Sequence, residues 1–376
     1  MNIAVNTRFL IKNKLEGIGW FTYETLKRIT RAHPEHQFHF FFDRPYDEEF
    51  IFSSNVTPHT IHPPARHPLL WYWWFEKGVP AALKKVNADL FLSTDGFLSL
   101  SAKTKQVLVI HDLAYRHYPH HVNQSALIYY KYFTPKYVAR ASRIVTVSEY
   151  SKNDILQAFH YPAGKIDVIG NGVHEFFKPM PDKEKEKIKQ RYTKGAPYFI
   201  YAGAIHPRKN VDTLFQAFDK LKEEHDLPHK LVIAGRFAWK TSSIKSIYDK
   251  LKHKEDIIFT GHLGRKELAN ITAASFAMVY ISLFEGFGIP LIEAMQCSVP
   301  CIASNSSSLP EVCGNGGLLV QNPRDLNEVK QAMLQLVNDS QLYNQLQIQA
   351  PLQAAKYTWD KSASGLWRSV AKVMQG

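Results

Sequence analysis

Cysteine is scarce in this chain. The 376 residues include three, Cys297, Cys301 and Cys313, within one short stretch and without a Cys-x-x-Cys pair. An odd number arranged this way argues against both a disulfide framework and a zinc site. Cys297 and Cys301 fall on apolar faces and read as small buried hydrophobes. A reduced, cytosolic protein is the simplest expectation. Long apolar runs are missing too: none approaches the roughly 18 to 20 residues of a membrane span, and the opening MNIAVNTRFL reads as a strand, not a signal peptide. The charge is not gathered in a tail either. Of the net +12, +5 falls up to Phe176 and +7 after it. Spread charge of this kind suits anionic small substrates or an anionic membrane surface. Nucleic acid is not expected as a partner, because no binding module accompanies the charge.

What is present is a globular composition, 45% apolar and 21% charged, over a length that allows two or three domains. Short Val/Ile-rich strands alternate with helices. In the first half, strands are expected at Ile3–Asn6, Gln37–Phe42, Asp89–Ser93, Gln106–His111 and Arg143–Val147, with helices at about Gly17–Ala32, Asn123–Ala141 and Tyr150–Phe159. Phe176–Pro197 is charged and punctuated by proline, and it reads as a connection with some helix. A second series follows, with strands beginning at Tyr198, Lys230, Ile257, Ala277, Pro300 and Gly317. Such alternation predicts parallel sheets covered on both faces. The fold class is therefore α/β, with two doubly wound Rossmann-like domains, 1–176 and 177–359.

The most informative stretch is YISLFEGFGIPLIEAMQCSVP, Tyr280–Pro300. An apolar strand breaks into a turn bearing Gly286 and Gly288, then restarts as a helix with Pro290 in its first turn, where a missing N–H costs little. Glu285 and Glu293 bracket the turn with seven residues between them. The spacing keeps both near the C-terminal end of a parallel strand, where open α/β sheets bind ligands. Free N–H groups there suit an anion, and ionised carboxylates suit sugar hydroxyls. Each acid also has a plainer reading, Glu293 as a helix-start acid favoured by the dipole and Glu285 as a solvated loop residue. As a whole the string resembles the E-x7-E signature of the retaining GT-B glycosyltransferases of family 4.

Other segments join that resemblance. Gly203-Ala-Ile-His-Pro-Arg208-Lys209-Asn210 follows a strand and opens a helix, where two adjacent cations oppose the dipole unless an anion sits there. Arg offers a fork and Lys a point charge, together suited to a diphosphate. The string resembles the family's PRKN element, whose cations hold the pyrophosphate of a nucleotide sugar; Arg236 is a weaker candidate for the same cleft. His111-Asp112 opens HDLAYRHYP, similar to the HDL-led segment of the mannosyltransferase-like branch, in which the His contacts the transferred sugar. Gly17-Ile-Gly19 gives a backbone able to approach phosphate. The dinucleotide fingerprint would need glycine at position 22, which is Thr22. By resemblance, Gly17 and Gly19 face the donor's phosphates, and His262 and Leu263 lie against its base. Ser304–Val320, with Glu311, also matches the family, as do Val147–Lys152 and Asn171–Val173, to which helix capping and a turn are assigned.

The resemblance implies a GT-B enzyme with two domains facing across a cleft and a final helix, about 360–376, packed back on the first domain. It implies a donor-binding set of Gly17, Gly19, Arg208, Lys209, His262, Leu263, Phe287, Gly288, Ile289 and Glu293. The reaction would be carried by Glu285, His111, Lys209 and Arg208. No cofactor or metal is expected, since two cations and a helix terminus can neutralise a diphosphate and Asp95 and Asp112 are isolated. GDP-mannose is the preferred donor, with UDP-sugars as rivals, and the acceptor is a glycan or lipid-linked. Two alternatives stand beside this reading, a GT-B sugar-nucleotide 2-epimerase and a non-catalytic nucleotide-sugar-binding protein. Finally, Leu69-Leu-Trp-Tyr-Trp-Trp-Phe75, flanked by Arg66, His67 and Lys77, reads either as core packing or as an interfacial anchor on the cytoplasmic membrane face.

Overall fold

The computed structural model describes residues 1–236 and 242–375. The chain forms two compact units, Met1–Asn171 together with the segment from Trp359 onward, and Gly172–Thr358. Each has its own parallel sheet.

The first sheet contains β1 (Asn2–Asn6), β2 (Gln37–Phe42), β3 (Val56–Thr60), β4 (Leu90–Ser93), β5 (Lys105–Ile110), β6 (Arg143–Thr146) and β7 (Ile166–Val168), in the order 3-2-1-4-5-6-7. Every pairing is parallel; Val5 of β1 stands opposite Phe40 of β2 on one side and Leu92 of β4 on the other. β4, and β5 after the exposed Lys105 at its start, are buried, which is why they read as unbroken apolar runs. β3 and β7 are edge strands that apolarity does not announce. VTPHT is half polar and carries Pro58, tolerated at an edge, and IDV is three residues long.

Helix α1 (Gly17–Ala32) leaves the end of β1, α2 (Pro68–Trp73) precedes β4, and α3 (Gln124–Arg140) leads to β6. The C-terminal helix, Trp359–Gln375, belongs to this unit. It is fastened at several levels: Asp360 takes a hydrogen bond from Arg28 at 2.6 Å, Trp367 stacks on His33 at 3.8 Å, and Lys105 reaches the Val373 carbonyl at 3.2 Å. Asp167 of β7 accepts from Ser369 at 2.7 Å and from Lys372 at 3.1 Å while paired with Arg143.

Burial alone would raise the Asp167 carboxyl, but the Arg143, Ser369 and Lys372 contacts outweigh it and hold it well below the usual carboxylate range. Its stabilising effect is thus complete above the unfolded value near 4 and is lost as pH falls toward the folded one. We expect Asp167→Asn to lower stability by about 1–3 kcal/mol at neutral pH, with the difference from the wild type shrinking below pH 4. Thermal melts across pH check this; a difference that grew on acidification would contradict it.

The second sheet contains β8 (Tyr198–Ala202), β9 (Lys230–Ala234), β10 (Ile257–Gly261), β11 (Ala277–Tyr280), β12 (Cys301–Ser304) and β13 (Gly317–Val320), in the order 10-9-8-11-12-13, again all parallel. The chain builds outward from β8 through β9 and β10, then returns to β11 on the other side of β8. The strand order reverses between β8 and β11, and the crevice at their C-terminal ends is the topological switch point of this domain. Helix α4 (Val211–Glu224) follows β8, and α5 (Ile289–Gln296) follows β11. The helix Asp182–Thr193, within the charged connection, also belongs to this unit, where Arg191 pairs with Glu267 at 3.0 Å. The three cysteines are free and buried, as small core hydrophobes.

Candidate active site

Two loops meet at the β8–β11 switch point. The first leaves β8 through Gly203 into a turn over Pro207–Lys209, then through Asn210 at φ 58° into α4. The second leaves β11 and carries Leu283 to Gly288. Because β8 and β11 are hydrogen-bonded neighbours, residues about seventy apart in the chain converge.

Lys209 Nζ donates to Glu285 Oε1 at 2.5 Å and to the Tyr280 hydroxyl at 2.7 Å, and that hydroxyl donates on to Oε1 at 3.1 Å. Arg208 Nη1 donates to the Phe284 carbonyl at 2.6 Å and stands 3.6 Å from Glu285 Oε2. Glu285 is only 7% exposed. Burial pushes its carboxyl up, but Lys209 and then Arg208 more than offset this, leaving it below the usual range and ionised. The two cations remain partly open to solvent. Charge of both signs is therefore held in place by the protein's own contacts.

Several uncharged groups hold this cluster. Asn210 donates to the carbonyls of Ile281 at 3.2 Å and Pro323 at 2.6 Å, and the Leu283 amide donates to the Arg208 carbonyl at 2.9 Å, so the two loops are pinned together. Ser307 accepts from the Glu285 amide at 2.8 Å, and Ser308 donates to the carbonyls of Glu285 and Phe287 at 2.9 and 3.0 Å. Gly288 sits at φ +106°, and a Cβ there would lie 2.6 Å from Leu309 Cδ2. Gly288→Ala is expected to cost about 1–3 kcal/mol through strain, read as a lower melting temperature; an unchanged melt would contradict the tightness of this turn.

Pro290 lies in the first turn of α5, and the helix buries Leu291, Ile292 and Glu293. Glu293 is 4% exposed and faces Arg265 Nη1 at 3.0 Å. Burial raises its carboxyl, and Arg265 offsets that only in part. The contact is an ion pair without well-aligned hydrogen bonding at Glu293 Oε1, so the carboxylate keeps accepting capacity. Arg265 begins the helix directly after the His262–Leu263 loop at the end of β10, the edge strand of this sheet; His262 itself is exposed. Phe287 is buried with its ring edge-on to Tyr357, and Ile289 opens α5. The backbone of Arg236 accepts from the Ile205 amide at 2.9 Å, tying it to the β8 loop.

The remaining candidates lie in the first unit. His111, past the end of β5, is packed edge-on to Phe21 at 4.9 Å, and its Nε2 lies 2.9 Å from the Thr94 carbonyl. A carbonyl only accepts, so Nε2 carries the proton and Nδ1 is left as an acceptor. Burial lowers the ring's pKa, with Thr94 and Asp112 pulling the other way. Protonation therefore costs folding stability as pH falls below the ordinary 6.5. A titration of the His111 ring by NMR should have its midpoint below that value, and a midpoint above it would rule out this neutral ring. Gly19 packs closely, since a Cβ there would meet the Phe9 carbonyl at 2.9 Å, whereas one at Gly17 would meet nothing within 4 Å. Asp112 accepts from the Ala114 amide at 2.9 Å and serves the local turn.

Ser307 and Ser308 belong to the Ser304–Val320 stretch, whose serines are expected from the resemblance to shape the cleft, whereas Tyr280, Asn210 and Arg265 are parts of this apparatus to which the sequence assigns no role. Asn210 had a signal, as the last residue of the PRKN string; Arg265 had none beyond its place at a helix start.

Two family models match the chain: Glycosyl transferases group 1 over residues 182–353, and Glycosyltransferase Family 4 over residues 15–175. The chain belongs to this glycosyltransferase family. It is 28% identical to the Escherichia coli O-antigen chain mannosyltransferase B over 93% of this chain and 94% of that one. It is 29% identical to the O-antigen chain mannosyltransferase RfbU of Salmonella typhimurium over 72% and 71% of the two chains. Among solved structures, sucrose-phosphate synthase from Thermosynechococcus elongatus superposes with a TM-score of 0.79 at 17% identity, covering 100% of this chain and 99% of that one. Two parallel-sheet Rossmann-like domains in one chain are the GT-B fold. The match to mannosyltransferases of polysaccharide assembly favours neither the epimerase nor the non-catalytic binding protein.

Proposed function

We propose that this glycosyltransferase moves mannose from GDP-mannose to a glycan or lipid-linked acceptor in cell-surface polysaccharide synthesis, working at the cytoplasmic side of the membrane, with retention of configuration and without a metal ion. The observation that carries the reading is the Arg208–Lys209–Glu285 cluster at the β8–β11 switch point. Two cations at a helix start suit a diphosphate. As the bond between the sugar carbon and the phosphate oxygen breaks, they stabilise the charge that gathers on the leaving phosphate. The acceptor hydroxyl attacks the same face of the sugar, and its proton passes to the leaving phosphate. The products are the glycoside and a nucleoside diphosphate.

In this reading Glu285 positions the hexose together with the amides near Phe287, Gly288 and Ile289, and Glu293 receives hydrogen bonds from the ribose hydroxyls. The His262–Leu263 loop meets the base. His111 offers Nδ1 to a sugar hydroxyl, and Gly17 and Gly19 face the donor phosphates. The two O-antigen mannosyltransferase relatives support mannose as the sugar. The test is a panel of nucleotide sugars, following nucleotide release and the anomeric configuration of the product, with and without a chelator. Release from GDP-mannose, an α-linked product and indifference to chelation are expected. Release from a UDP-sugar alone would overturn the donor, inversion would overturn the stereochemistry, and loss on chelation would overturn metal independence.

A further inference from the structure

We infer that the outer faces of α2 and α3 together form a surface that seats on an anionic lipid bilayer. The aromatic run 69–75 divides in two. Trp74 and Phe75 are buried, and Trp71 is partly so, with its indole N–H donating to the Ala65 carbonyl at 2.9 Å. Leu69, Tyr72 and Trp73 point outward, 69%, 41% and 52% exposed, at a spacing that puts them on one helical face. On α3, Ile128 and Tyr132 are 61% and 59% exposed, one turn apart. The two sets are continuous: ring centroids run from Trp73 to Tyr72 at 6.2 Å, to Phe133 at 6.0 Å and to Tyr132 at 4.9 Å. Monomeric proteins seldom leave so much connected apolar surface without a use.

Along α2, α3 and their flanks the exposed charge is of one sign. Arg66, Lys77, Lys131 and Lys136 are exposed, and Lys136 Nζ lies 3.3 Å from the Tyr132 ring centroid. Residues 66–77 hold a single acid, Glu76, which is buried and spent on the amides of Leu100 and Ser101 at 2.8 and 2.9 Å. Residues 124–140 hold none. A cleft of about 500 Å³ beside Lys131 adds Arg116, while His117 on its wall is paired with Asp154 at 2.9 Å.

Aromatic side chains at headgroup depth, with lysines reaching for phosphates, are what an anionic bilayer selects. A second copy of the chain is disfavoured, because a two-fold contact would set these cations against themselves. No helix among the described residues is long and apolar enough to cross a membrane, so the contact lies in the interface plane.

This inference deepens the reading of a lipid-linked acceptor, and its test is separable from that reading. The full chain is sedimented with vesicles of phosphatidylcholine alone or mixed with phosphatidylglycerol. Binding to the mixed vesicles should be tighter by about tenfold or more and should weaken with salt. The double variant Trp73→Ser with Tyr132→Ser should lose on the order of tenfold on both vesicles. The charge reversal Lys131→Glu with Lys136→Glu should lose as much on the anionic vesicles alone. All variants should keep the wild-type melt and the wild-type release of nucleotide from soluble donor. Equal binding to both vesicle types, indifference to the substitutions, or a wild-type dimer that the Ser variant dissociates would overturn the inference. Vesicle binding lost by the variants in a protein that turns over no donor would leave the surface standing and overturn the transfer reading.

Discussion

Lys209→Ala should lower turnover by a factor of about 10²–10³ while leaving the protein folded. That is the range seen when one preorganised donor to a developing anion is removed. Lys209 is the nearest cation to Glu285, at 2.5 Å, and is itself partly exposed. In the proposed reaction its charge matters most when the leaving phosphate carries most negative charge, so the loss should fall on kcat more than on the donor KM. The remaining cation, Arg208, is tied to the Phe284 carbonyl and sits 3.6 Å from the carboxylate, so it cannot take over both contacts. Glu285→Ala should act in the same direction through loss of sugar positioning. Here Lys209 keeps a partner in Tyr280, so the fold should tolerate the change. Steady-state kinetics on the purified variants decide the matter. Near-normal turnover in both would mean that the chemistry lies elsewhere.

The second large effect is expected at Arg265, which touches no presumed reacting atom. Arg265→Ala would leave Glu293 in a site only 4% exposed without its cation. Removing one partner of a buried ion pair typically costs about 3–5 kcal/mol. For a domain of this size, each kcal/mol moves the melting temperature by about 2–4 °C. Burial already raises Glu293, and without Arg265 it should rise further. A carboxylate raised in the folded state makes folding less favourable as pH climbs from its unfolded value through its folded one. The variant should therefore be closest to the wild type in acid and furthest from it at neutral pH. Adding Glu293→Gln should recover much of the melt by removing the stranded charge. It should not recover donor affinity, because an amide offers only one accepting oxygen to ribose hydroxyls. If the double variant bound donor as the wild type does, Glu293 would be a structural acid and the ribose assignment would fall.

The two effects differ in how readily a reader of the sequence could have foreseen them. Glu285 and Glu293 stand out because a strand, a two-glycine turn and a proline-started helix frame them within a few residues. Arg208 and Lys209 stand out because paired cations at a helix start oppose its dipole. Their meeting with Glu285, however, depends on β8 lying beside β11, which is a fact of sheet order rather than of local pattern. Arg265 is more remote still, since its partner is reached only after β11 and the following turn are in place.

The same division holds for the fold. Strands buried on both faces declare themselves in apolar runs, as VLVI does in β5, but VTPHT and IDV at the sheet edges do not. The aromatic run at 69–75 posed a choice between interior and surface, and periodicity could not settle it. The helix turns part of the run inward and part outward.

The last helix bears on how the chain is made. The first 171 residues supply all seven strands of their sheet, yet the helix that covers α1 and clasps Asp167 begins at Trp359. During synthesis the amino-terminal half must wait, with that face uncovered, while the whole of the other domain emerges and folds. Released chains truncated before Trp359 should therefore hold a finished second domain and an unfinished first one, more open to proteases and chaperones than its position in the sequence would suggest.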